Sequence, residues 1–169
     1  MLYKKLDINC SHLDILKLKG DKKNSYGATF LEYNILDWRY LKNFVHGNFK
    51  LKIIPDRVNI TDIVDNGAAV HTDHWSVALN FYLTTTGDTT KYFKVKGADG
   101  TQVREIKVYD QKDLEEIDSF VADTGDCYLI DTHTPHSVLH ESERKIRTIL
   151  RFAWFNRTID EIADSIKIL

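Results

Sequence analysis

His71-Thr72-Asp73 sets an imidazole and a carboxylate two residues apart, and His136 offers a second imidazole further along the chain. Side chains at i and i+2 of a strand project to the same side, so a strand here would aim both groups at one target. Two imidazoles and one carboxylate on one face of an octahedral metal leave its other positions open. That donor set suits non-haem iron(II) and oxygen chemistry. His136 follows Pro135, whose fixed φ stiffens the approach to the next strand. If that strand lies beside the first, the three ligands converge.

Arg147 and Arg151 come next, and a strand would place both on one face with Ile149 between them. Burying two guanidiniums together is costly unless an anion sits between them. A planar guanidinium grips a carboxylate through two hydrogen bonds, so a bound carboxylate would justify their burial. The alternative is an exposed sheet face with Glu141 or Glu143 as partners. Asn80 and Tyr82 share parity on their strand, so they either face such a ligand together or divide between solvent and core. Asp131 with His133 is a rival ligand set. His74 falls in the loop after the motif, Trp75 is a candidate substrate wall or a packed indole, and His140 reads as structural.

The elements that must hold these groups are mostly strands. Residues 35–45 show helical periodicity through Leu36, Tyr40 and Phe44, with Gly47 as a stop signal. Phe49–Ile53 alternates apolar and polar, Val77–Leu83 is rich in aromatic and branched residues, and Thr89–Val95 follows a turn at Gly87-Asp88. The turn Ala98-Asp-Gly100 suggests a hairpin of 91–96 with 102–109. Residues 110–118 are polar and read as a short helix or loop. Cys127–Ile130, Ser137–His140 and Ile146–Phe155 are further strands, the last two joined by the charged turn Glu141–Lys145. Thr158 and Glu161 have capping-box spacing, so the chain is expected to end in a helix. Many short strands with helices at both ends indicate a small antiparallel barrel or sandwich.

The 169 residues fit a single domain, 1–169, and a composition 43% hydrophobic and 28% charged is that of a globular protein. With 23 basic and 25 acidic residues, the net charge of −2 gives no electrostatic case for nucleic acid or an anionic membrane. Cys10 and Cys127 lie outside metal-binding spacing and read as reduced thiols. The N-terminus lacks the apolar core of a signal peptide, and no stretch is long enough to span a bilayer, so a cytoplasmic location is expected. The sequons at Asn59 and Asn156 are then chance matches.

The segments His71–Leu83, Gly125–Val138 and Arg147–Phe152 resemble the Fe(II)/2-oxoglutarate-dependent dioxygenases, and more narrowly the small oxygenase-like proteins of marine microbes and their phages. The resemblance covers roughly residues 50–155. It implies a mainly β fold, a double-stranded β-helix (jelly roll, cupin-like barrel), here with flanking α-helices towards both termini. It implies Fe(II) held by His71, Asp73 and His136, with Arg147 binding the far carboxylate of the co-substrate 2-oxoglutarate and Arg151 as its rival. Many members carry a hydroxyl where Ile149 stands, so Tyr82 or Tyr128 would have to complete the carboxylate site. The implied reaction uses O2 to hydroxylate a C–H bond of an amino acid, a peptidyl side chain or a small metabolite. Asp73 retains the carboxylate that halogenases lack. Two other readings stay open: a cupin-like metal enzyme that does not use 2-oxoglutarate, and a non-catalytic ligand-binding jelly roll. Oligomeric state is not legible.

Overall fold

A computed structural model describes residues 1–26, 29–64, 68–85, 87–139 and 146–169. Strand β1 (Tyr3–Leu6) leads to a single helical turn, α1 (Ile15–Leu18), then to the antiparallel pair β2 (Lys19–Tyr26) and β3 (Phe30–Ile35). Helix α2 (Trp38–Asn48) and β4 (Phe49–Leu51) follow. The next run comprises β5 (Arg57–Val64), β6 (Ala68–Thr72), β7 (Val77–Thr84) and β8 (Thr89–Val95). A small hairpin, β9 (Thr101–Val103) and β10 (Ile106–Val108), precedes β11 (Leu114–Val121). Then come β12 (Cys127–Asp131), β13 (His136–Leu139), β14 (Ile146–Trp154), helix α3 (Ile159–Ser165) and β15 (Ile166–Ile168).

Eight of these strands pair in a nested order. β5 pairs with β14, β6 with β13, β7 with β12 and β8 with β11, all antiparallel. The first strand of the set thus meets the last, as in a long hairpin wound on itself, and successive strands cross between two facing sheets. One sheet runs β1-β12-β7-β14-β5-β3-β2 and the other β11-β8-β13-β6-β10-β9. This is the double-stranded β-helix, a jelly roll. β1, β2 and β3 widen the first sheet beyond the barrel, which gives the N-terminal third its role.

The seven-stranded sheet is covered on both faces, so its central strands carry no polar alternation. In β7, Val77, Leu79, Phe81 and Leu83 face outward into a core with Leu41 and Phe44 of α2, Phe49, and Ile159 and Ile162 of α3. Ala78 and Tyr82 face inward, into a second core with Ile63, Tyr92, Tyr128, Ile130 and Ile149. Asp37 caps α2, its carboxylate accepting from Tyr40 N, and the capping box of Thr158 and Glu161 starts α3 as expected.

Several expectations are corrected. α2 begins after its Asp37 cap and runs past Gly47, so Leu36 is exposed rather than on its buried face. The strand 91–96 does not pair with 102–109: β8 lies between β11 and β13, while β9 and β10 form their own hairpin beside β6. Of residues 110–118, expected to be a short helix or loop, Gln111–Asp113 do form a 3-10 turn, but 114–118 belong to the edge strand β11, whose exposed charges hide the pattern of burial. The chain does not end in α3, because β15 follows and pairs with β4. Residues 140–145, with His140 and the turn 141–145, lie outside the described residues. Asn59 is buried, in keeping with a chance sequon. Among the described residues no helix is long and apolar enough to cross a membrane.

Candidate metal centre

β13 lies against β6 with His136 directly opposite His71. Asp73 falls one residue beyond the end of β6, where the chain begins to cross between sheets. Two hydroxyl residues pin that crossing. Thr132 takes Asp73 N on its carbonyl at 3.0 Å, while its hydroxyl donates to Trp75 O at 2.7 Å. Ser76 binds Trp154 O through both its N–H (2.9 Å) and its hydroxyl (3.1 Å). Neither residue stood out in the sequence, because each acts through strands that meet only in the fold.

His71, Asp73 and His136 are all buried, and one potential ligand atom from each lies within 4.8 Å of the others. His71 Nε2 is 3.3 Å from one oxygen of Asp73 and His136 Nε2 is 3.9 Å from the other. Both rings present Nδ1 to a carbonyl: His71 to Ala69 O at 2.7 Å, His136 to Thr134 O at 3.0 Å. Nδ1–H donates there, which leaves the Nε2 lone pairs for a metal and fixes the orientation of the rings. The donor set, its burial and its tautomers therefore fit a divalent cation.

Electrostatics favours the same assembly. Burial would lower the pKa of His71, but the adjacent Asp73 carboxylate outweighs it and the value is raised. For Asp73, burial acts upward, yet the hydrogen bond and charge of His71, with help from His136 and Arg151, hold its carboxyl below the ordinary range. Burial and the neighbouring His71 lower His136 to about 4, so it stays neutral and ready to ligate.

Arg147 and Arg151 both point inward, 1% and 5% exposed, which removes the alternative of an open sheet face. Arg147 donates through Nη2 to Thr90 Oγ1 at 3.2 Å, and its guanidinium lies 4.4 Å from the Tyr82 ring centroid. Arg151 donates through Nε to Asn80 Oδ1 at 3.2 Å. Nε and Nη1 of Arg147 and Nη1 of Arg151 are buried without an acceptor among the described residues. A buried guanidinium left short of acceptors is costly, and a carboxylate would satisfy it. Tyr82 and Asn80 do line the cavity that holds the two arginines, together with Thr90, Ile149 and His136. Tyr82 offers Arg147 its ring. The Tyr128 hydroxyl turns instead to Val121 O at 3.4 Å. The hydroxyl beside Arg147 is that of Thr90, on β8, which sequence reasoning missed.

This inner cavity has a volume of about 20 Å³, close to that of a single water site. A larger cavity of about 150 Å³ adjoins it at His71 and Phe30 and opens beside Trp75. Trp75 is buried, with the guanidinium carbons of Arg57 and Arg151 at 5.4 and 5.2 Å from its ring. Buried Glu32 holds Arg57 and also accepts from Asn59 Nδ2 at 3.0 Å. The rival ligand set is not assembled: His133 is exposed, and Asp131 accepts from His133 N (2.9 Å) and the Thr134 hydroxyl (2.8 Å) to shape the loop. His74 is exposed, its ring packed on Phe155 at 5.0 Å.

No family model matches the chain, and no curated protein matches it significantly. Among solved structures, it is similar to Escherichia coli ycfD at 17% identity with a TM-score of 0.41, over 77% of this chain and 36% of that one. A second structure, described as the Escherichia coli ribosomal oxygenase YcfD, gives 16% identity and a TM-score of 0.41, over 84% and 37%. A third is hydroquinone 1,2-dioxygenase PnpCD in complex with Cd2+ and 4-hydroxybenzonitrile, at 8% identity and a TM-score of 0.40, over 66% and 69%. This chain thus spans little more than a third of the length of the two YcfD chains. Likenesses at this level assign no role to any residue here, and the chemistry of the site rests on its own geometry.

Proposed function

We propose that this chain is an Fe(II)- and 2-oxoglutarate-dependent dioxygenase that hydroxylates a C–H bond of an amino acid, a peptidyl side chain or a small metabolite. The observation that carries the reading is a coincidence on the inner face of the barrel. Three buried donors, His71, Asp73 and His136, share that face with two buried guanidiniums, three of whose nitrogens (Nε and Nη1 of Arg147, Nη1 of Arg151) lack acceptors among the described residues. His71, Asp73 and His136 would hold the iron by one side, leaving positions for co-substrate and oxygen. Bound iron and 2-oxoglutarate would supply the oxidising power for the C–H bond.

The chain's own residues have separable tasks. Arg147, steadied by the Thr90 hydroxyl and the Tyr82 ring, anchors the far carboxylate. Arg151, held by Asn80, adds positive charge between that anchor and the metal ligands. The carbonyls of Ala69 and Thr134 hold the proton of each neutral ring on Nδ1, so that Nε2 is the nitrogen turned to the metal. The apolar walls Ile149, Ile130 and Val138 exclude water, which strengthens every charge interaction inside.

A second reading, a cupin-like metal enzyme without 2-oxoglutarate, is favoured by one observation. An inner cavity of about 20 Å³ admits a dicarboxylate only if side chains around the arginines move apart. Calorimetric titration with Mn(II), then with 2-oxoglutarate, separates the two. We expect metal to bind the wild type and to be lost in Asp73→Ala. 2-Oxoglutarate should bind the metal-loaded protein, and Arg147→Ala should cost ~2–4 kcal/mol of that affinity while sparing the metal. Metal retention without 2-oxoglutarate binding would select the second reading. The same loss in Arg151→Ala instead of Arg147→Ala would exchange the anchors.

A further inference from the structure

The larger cavity carries a statement about the substrate. Its floor is His71 and Asp73, and its walls are Phe30, Trp75, Ala69, Ile106 and Val108. Phe30 and Trp75 come from the seven-stranded sheet and the crossing that leads into it, while Ile106 and Val108 come from β10 in the facing sheet. The pocket therefore opens where the two sheets part, on the side away from Arg147. Among the described residues no lysine or arginine lines it, and the one carboxylate besides Asp73 is that of Glu105. An anionic ligand gains nothing from such walls and would lose its hydration on entry. A lining of this kind rewards removal of apolar surface from water.

The size narrows the class further. A cavity of about 150 Å³ with apolar walls accommodates a group about the size of benzene. Trp75 adds a polar handle: its Nε1–H is buried and has no acceptor among the described residues. Cation–π contact with Arg57 and Arg151 holds the indole in place, so the wall is built rather than collapsed.

We infer that this pocket is the primary-substrate site and that it takes a neutral, branched aliphatic or aromatic side chain, whose C–H bonds then lie over His71 and Asp73. The inference of a substrate rests on the metal reading above, whereas the ligand class rests on the pocket itself. The test is saturation-transfer NMR with four probes: N-acetyl-leucinamide, N-acetyl-phenylalaninamide, N-acetyl-aspartamide and N-acetyl-argininamide. The leucine and phenylalanine probes should receive saturation through their side chains, and the charged probes should not. Ile106→Trp, which fills the pocket from β10 without touching the metal ligands, should weaken the apolar probes roughly tenfold or more. Val108→Phe should do the same, and far-UV circular dichroism of both variants checks their fold. Equal saturation of the charged probes, or undiminished binding in both folded variants, overturns the inference. Added Mn(II) should broaden the side-chain protons of a bound probe. Saturation without such broadening keeps the pocket's ligand class and removes the metal from its floor, so the two claims fail separately.

Discussion

At the residue scale, the site depends on which nitrogen of each histidine is free and on what restrains each arginine. Ligation needs His71 without its proton, and the fold raises the pKa of that group through Asp73, whereas His136 is lowered to about 4. Protons therefore compete with metal at His71 first. Metal affinity should fall as pH is lowered through and just above the ordinary imidazole range, with His136 contributing only near pH 4. A Mn(II) titration series across pH checks this, and its slope should correspond to a single proton above that lower step. Thr90→Val should weaken 2-oxoglutarate binding by ~1–2 kcal/mol with metal affinity unchanged, since it removes one hydrogen bond to the Arg147 guanidinium. The grouping of His71, Asp73 and His136 was legible in the sequence because the two-residue spacing keeps Asp73 near His71 and because Pro135-His136 opens a strand. Thr90 and Thr132 were not legible. Each is one threonine among many until β8 faces β14 across the barrel, or the chain after β12 meets the crossing at Asp73.

At the element scale, legibility followed burial. β7, β12 and β14 announce themselves as apolar runs because both faces of their sheet are covered. β11 does not, since its outer residues are Glu115, Glu116 and Asp118 on an exposed edge. The strand pairing was misread for a different reason. A turn signal at Ala98-Asp-Gly100 predicts a local hairpin, but the nested order of a jelly roll sends β8 to β11 and β13 instead. Nothing local encodes that choice. The capping box of Thr158 and Glu161, being local, was read correctly, whereas the Asp37 cap of α2 was missed. Thr158→Ala should lower stability by ~1 kcal/mol, seen as a lower urea midpoint, because Thr158 Oγ1 accepts from Glu161 N and its own N–H donates to the Glu161 carboxylate.

On the scale of the whole molecule, one sheet serves two cores, and the outer core supports the inner face that carries the site. Phe81 sits at the centre of the outer core: its ring packs on Phe44 of α2 at 5.5 Å, on Phe49 at 5.7 Å and on Phe152 at 5.4 Å. Phe81→Ala should cost ~3–5 kcal/mol in urea unfolding. Cys10 and Cys127 belong to the same core. Burial pushes the Cys10 thiol up to about 12 and the Cys127 thiol well above its usual value, so alkylation by iodoacetamide should be slow until the protein unfolds. The central claim concerns what this scaffold is for, and one measurement addresses it most directly. The protein is incubated with Fe(II), 2-oxoglutarate and oxygen, and succinate is followed by NMR. The account predicts succinate formation even without a primary substrate, dependent on iron and abolished by Asp73→Ala. No succinate from an iron-loaded wild-type protein, with apolar probes supplied in the adjoining pocket, would contradict it.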